Sequence, residues 1–169
     1  MQNIVHSLLR LVQLLLLIIA TALIGNVRAS TEQHASGTAT AAINFAIFVC
    51  TLSWIAVLYN LIAHFVSAVA VPIAALALDA AATLFTFIAA VVLSAKLKTV
   101  NCANWGSRPS DWIAFGSGDT QKRCREIQAG LVFMWFLFAA FIATLVLAAR
   151  EFRRGGGSIR GPSMSQIGV

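Results

Sequence analysis

Side chains able to do chemistry are few in this chain, and they are scattered. The three histidines, His6, His34 and His64, fall in three different segments. None is paired at i+3 or i+4, the spacing that sets two imidazoles on one helix face to share a metal. The three cysteines contain no Cys-x-x-Cys, so a thiol-disulfide redox motif is not encoded. No Gly-rich phosphate loop and no Gly-x-Ser-x-Gly elbow occurs, and no nucleophile has an evident base. The sequence reads as a non-enzyme, with no catalytic, cofactor or metal residue to assign. One group still demands an explanation: Asp79, which lies inside a long apolar run.

An ionised carboxylate in hydrocarbon is costly, so Asp79 must face other helices, be protonated, or be paired. Its run starts near Ala68, eleven residues earlier, which puts it about 16 Å along a helix axis. Counted from the same face, Gln13 and the Ser53/Trp54 pair come to similar depth and can donate hydrogen bonds. Three readings follow: a structural polar clasp of Asp79, Gln13, Ser53 and Trp54; a lipid-headgroup or regulatory contact; or a proton- or ion-coupling site of a small transporter or channel. As a clasp, Asp79→Leu is expected to weaken packing modestly, by about 0.6 kcal/mol.

The elements that hold these residues follow from composition. Of 169 residues, 59% are hydrophobic and 11% charged, against roughly 25% charged in a soluble domain. Too little polar material is present to cover a water-facing surface. Four apolar runs stand out, at residues 4–27, 41–63, 68–95 and 129–149, and even the shortest gives about 31 Å of helix, enough to cross a bilayer. The runs are continuous rather than alternating, and a barrel needs at least about eight strands. An all-α four-helix transmembrane bundle over residues 1–149 is therefore expected, with a basic, flexible tail at 150–169. The N-terminal run also has features of a signal peptide, with Arg10 before it and Val27-Arg28-Ala29 after it. It is long for a signal peptide, which favours a first transmembrane helix.

Orientation is contested by two signals. Four spans put both termini on one side, with Arg10, Arg150, Arg153, Arg154 and Arg160. The loops at 28–40 and 96–128 lie on the other, with Arg28, Lys96, Lys98, Arg108, Lys122, Arg123 and Arg125. Five cations against seven slightly favour termini outside. Cys102 and Cys124 argue the opposite, because a bridge between the two ends of the long loop would need an oxidising compartment and would add about 3 kcal/mol of loop-closure stabilisation. Two free thiols in a cytosolic loop are the alternative, and Cys50 reads as a small buried hydrophobe.

Small residues recur at i+4 as Ala82, Thr86, Ala90 and Ser94, and again as Ala140, Thr144 and Ala148. Such rows allow close approach, within the chain or in self-association. Phe133, Trp135, Phe136, Phe138 and Phe141, with Trp105, Trp112 and Phe115 of the long loop, read as interfacial anchors. In the tail, Arg150, Arg153, Arg154 and Arg160 are placed to hold anionic headgroups, and Ser158, Ser163 and Ser165 are candidate phosphorylation sites that would cancel this pull. The alternative is a plain stop-transfer anchor with a disordered end.

The chain resembles the fungal MARVEL-domain tetraspan membrane proteins, in particular the non-classical export protein 2 group associated with eisosomes. The resemblance rests on Pro72, Leu78-Asp79, Phe85-Thr86-Phe87, Cys102, Gly116-Ser117-Gly118, Arg123-Cys124-Arg125, Gln128-Ala129, Gly161-Pro162 and Ser165-Gln166, and covers essentially the whole chain. It implies a MARVEL-like bundle with one long disulfide-closed extracellular loop and cytosolic termini. It also implies a plasma-membrane organiser of furrow-like domains that responds to sphingolipids and works with cytosolic BAR-domain scaffold proteins. Homo-oligomers are expected, with no cofactor beyond a bound lipid or sterol, and because the twelve Lys and Arg lie at helix ends and in loops, lipid headgroups rather than nucleic acid are the expected partners.

Overall fold

A computed structural model of the chain describes residues 2–32, 35–66, 70–98, 100–104 and 106–154. Four helices follow in order: α1 Gln2–Ala29, α2 Gly37–Phe65, α3 Pro72–Leu97 and α4 Thr120–Arg154. No strand occurs among the described residues. Each helix is long and apolar enough to cross a membrane.

The buried positions show why these sequences form one bundle. On α1 they are Arg10, Gln13, Leu17, Ala20, Ile24 and Val27, alternating steps of three and four residues; on α3, Asp79, Ala82, Thr86, Ala89, Ala90, Leu93 and Leu97 follow the same rhythm. A stripe of that period is the seam of nearly parallel or antiparallel helices packed side by side. α1 packs on α2 and α4, and α3 packs on the same two helices from the other side. Cross-helix bonds set the directions: Ser7 meets His64, Arg28 bonds Asn44, Asn60 bonds Asp79 and Asn26 bonds Glu126. Each joins the end of one helix to the start of another, so the bundle runs up-down-up-down. The opposite faces stay apolar and exposed, with Leu8, Leu15, Phe48, Leu84 and Phe136 among them.

The starts of α3 and α4 differ from the limits of the apolar runs. Pro72 opens α3 at its first turn, where a missing N–H costs nothing, so α3 starts four residues later than the hydrophobicity suggests. α4 starts nine residues earlier, because the Asp119 carboxylate accepts from the Lys122 N–H at 2.9 Å and caps it. Its 35 residues make about 52 Å of helix, more than one bilayer needs. Cys124 therefore sits in α4, and the connection shrinks to residues 98–119.

That connection is a packed cap. Trp112, Ile113 and Ala114 are buried in it, and the Trp112 indole donates to the Leu97 carbonyl at 2.9 Å, closing the end of α3. A disulfide joins Cys102 to Cys124 across a Cα separation of 5.7 Å. Cys50 is a buried free thiol. Gly116 has φ +90°, and its carbonyl accepts from the Glu32 N–H at 2.8 Å. A Cβ there would stand 2.4 Å from the Ala35 Cβ. Gly116→Ala is expected to cost about 1–3 kcal/mol from backbone strain and this clash, whereas Gly106→Ala, in open space, should change stability little. Thermal unfolding of the two variants in detergent checks the contrast.

Candidate functional site

The polar centre of the bundle is an ion pair. Asp79 on α3 is fully buried and Arg10 on α1 is 3% exposed. Both guanidinium Nη groups reach the carboxylate, Nη1 to Oδ1 at 2.9 Å and Nη2 to Oδ2. This two-pronged geometry fixes orientation as well as charge. Asn60 on α2 donates to the same Asp79 Oδ1 at 3.3 Å while also bonding the Ala56 carbonyl. Arg10 Nη1 donates in turn to Gln13 Oε1 at 2.9 Å, and Gln13 Nε2 donates to Thr144 Oγ1 on α4 at 3.0 Å. One connected set of side chains thus ties all four helices together.

Depth explains which residues meet. With α3 starting at Pro72, Asp79 lies seven residues in, about 10 Å from the helix end rather than about 16 Å. At that level the neighbours are Arg10 and Asn60, while Ser53 and Trp54 lie deeper in α2. The grouping of Ser53 and Trp54 with Asp79 is therefore corrected: the Trp54 indole donates to Thr21 at 3.1 Å, and the buried Ser53 hydroxyl has no hydrogen-bond partner among the described residues. Gln13 reaches Asp79 only through Arg10. Arg10 and Asn60 had signals in the sequence: Arg10 is one stripe step before Gln13, and Asn60 is one heptad after Ser53.

A second buried cation organises the opposite end. Arg123, 1% exposed, donates through Nη1 to the Val27 carbonyl at 3.0 Å and to Thr31 Oγ1 at 2.9 Å, and through Nε to the Ile113 carbonyl at 3.3 Å. It caps α1 from outside and ties it to the connection and to α4. Arg10 and Arg123 are thus not headgroup charges, and the orientation tally of five against seven becomes four against six.

The small-residue rows face inward. Ala82, Thr86, Ala90, Ala140 and Thr144 are buried, and Ser94 and Ala148 are half-buried. Their use here is packing within the chain, the first of the two uses that the sequence leaves open. Of the expected anchors, Phe141 is fully buried and Phe136 is 58% exposed. Arg150 and Arg153 are exposed at the end of α4. Arg160, Ser158, Ser163, Ser165 and Trp105 lie outside the described residues, as does the Arg154 side chain. Among the described residues, no group of three or more His, Cys, Asp or Glu side chains is placed to hold a metal.

Four apolar spans closed around a polar centre, with a disulfide-tied cap at one end, define a multi-pass, four-span membrane protein. MARVEL, the membrane-associating domain, matches residues 3–147, and the chain belongs to that family. It is similar to non-classical export protein 2 of Saccharomyces cerevisiae, at 28% identity over 95% of this chain and 96% of the relative. It is also similar to non-classical export protein 2 homolog 1 of the same yeast, at 27% identity over 89% of this chain and 83% of the relative. No solved structure matches the chain.

Proposed function

We propose that the protein is a non-enzymatic organiser of the plasma membrane, with both termini in the cytosol, that self-associates and stabilises furrow-like, eisosome-type domains in response to sphingolipids. Anionic inner-leaflet lipids and cytosolic BAR-domain scaffold proteins are its partners in this reading, and a bound lipid or sterol is compatible with it. The observation that carries it is that the polar interior is spent on the bundle itself: Asp79, Arg10, Asn60, Gln13 and Thr144 bond to one another in one connected set, while the outward faces offer apolar surface to lipid. Similarity to the two yeast export proteins supports a membrane role of this kind, and the disulfide supports placing the cap outside the cell.

The test uses fluorescently labelled full-length chain in proteoliposomes containing anionic lipid. Energy transfer between copies is expected above random mixing, with no pH-coupled flux. A proton flux lost in Asp79→Asn would replace the organiser with a transporter. In the same vesicles, Arg153→Gln with Arg154→Gln should weaken binding of the tail to anionic lipid by about tenfold or more. The triple Ser158, Ser163 and Ser165 to Asp variant should act in the same direction, with strong salt dependence. Clustering indifferent to both variants would reduce the tail to an anchor.

A further inference from the structure

Two surface pockets open at the cap end of the bundle, and their charges differ. The first, about 320 Å³, lies beside the start of α4 and is lined by Lys122, Arg125, Asp119 and Glu126, so its formal charges cancel. Lys122 is already engaged there with Glu126 at 3.9 Å. The second, about 250 Å³, lies where α3 ends and is lined by Lys96, Lys98 and Arg108 against a single carboxylate, Asp111. We propose that this second pocket binds the anionic phosphate headgroup of a lipid in the leaflet on the cap side.

Three observations carry the assignment. The fold sets where the cations stand: the Lys98 backbone closes α3 with φ 57°, and the Arg108 guanidinium is held 5.8 Å from the centre of the Trp112 ring. Trp112 is itself fixed, since its indole N–H is bonded to the Leu97 carbonyl, so the ring presents a constant face to Arg108. Second, the lysines keep their charge available. Among the described residues neither Lys96 nor Lys98 has an ion-pair partner, and two lysines at a helix C-terminus exceed what its partial charge of about −0.5 requires. Third, the depth is right. Ala95, the last pocket residue on the apolar part of α3, shares the lining with Lys96 and Lys98, so the pocket straddles the level at which the helix leaves hydrocarbon and lipid phosphates lie. An arginine fork and two ammonium groups suit phosphate oxygens, whereas a zwitterionic headgroup would bring its own cation against three others. The site lies at the opposite end of the bundle from the basic tail and is independent of the organiser reading.

The test is native mass spectrometry and thermal unfolding of the full-length protein in neutral detergent, titrated with short-chain phosphatidylinositol. The comparison arms are short-chain phosphatidylcholine and inorganic phosphate. Phosphatidylinositol should form a one-to-one adduct and raise the unfolding temperature, and the other two should do neither at equal concentration. Lys96→Gln with Lys98→Gln, and separately Arg108→Gln, should weaken that binding by about tenfold, while Lys122→Gln with Arg125→Gln should leave it unchanged. Unfolding temperatures without lipid show that each variant is folded, and the lysine variant, which leaves the Trp112 contact intact, tests binding if Arg108→Gln does not fold. Equal binding by the lysine variant, or equal binding of phosphatidylcholine, overturns the site; an equal effect of inorganic phosphate overturns the lipid as its occupant.

Discussion

Asp79→Leu is expected to destabilise the bundle by about 3–5 kcal/mol, because it leaves the Arg10 guanidinium buried without its counter-charge. Arg10→Leu should cost a similar amount, softened by the Asn60 donor that stays on the stranded carboxylate. Asp79→Asn keeps an oxygen for Arg10 but not the charge, so it should fall in the same range. The decisive variant is the double replacement of Arg10 and Asp79 by leucine. Exchanging a buried ion pair for apolar side chains is often neutral or stabilising, so the double should recover most of the loss. Asn60→Leu removes a longer, shared bond and should cost about 1 kcal/mol. Unfolding in mixed micelles measures all of these. Single variants within about 0.6 kcal/mol of the parent, the ordinary value for an intramembrane hydrogen bond, would show that the pair contributes no more than a simple polar clasp.

Much of this arrangement was legible before any coordinates. Four helices followed from run length and charge alone, and the disulfide from the placement of Cys102 and Cys124. Asp79 stands out in the sequence as the residue to explain, but its partner does not, for a physical reason. Hydrophobicity marks where a chain is apolar, not where a helix begins, and Ala70 and Val71 are apolar without being part of α3. That offset of one turn sets Asp79 too deep and hides Arg10, which the sequence alone places at the membrane face because arginine usually belongs there. Arg123 was hidden by the converse error. Its polar surroundings read as loop, yet Arg123, Cys124 and Ile127 already continue the buried stripe of α4. The stripe period carries information that the apolar runs do not, and following it through polar residues would have found both arginines. The motif residues behind the family resemblance fall at such positions: Gly116 where only glycine fits, Arg123 and Cys124 where the cap is tied, Asp79 where the helices meet.

The cap supplies the other large expected effect. Cys102→Ser with Cys124→Ser should lower stability by about 3 kcal/mol, the loop-closure value for their separation of 22 residues. Arg123→Leu should cost about 1–3 kcal/mol, since it strands the Ile113 carbonyl in a buried place and takes one donor from the Val27 carbonyl, which keeps the Ser30 and Thr31 hydroxyls. These two losses should not add. Arg123 and Cys124 are neighbours on α4, and both hold the 98–119 connection, Arg123 through Ile113 and Cys124 through Cys102. Once the disulfide is gone the connection can move away from α4, and the Ile113 carbonyl can find water instead of remaining buried and unpaired. Removing Arg123 from the disulfide-free chain should then cost less than removing it from the parent, with a coupling of about 0.5–3 kcal/mol. Thermal unfolding of the four chains gives the coupling, and protease susceptibility within residues 98–119 reports where it arises. Both single changes should leave the connection largely protected, and the combined change should expose it. Strict additivity with unchanged protection would mean that Arg123 caps α1 without holding the connection. An intact mass equal to that of the reduced chain, after thiols are blocked, would remove the disulfide from the account altogether.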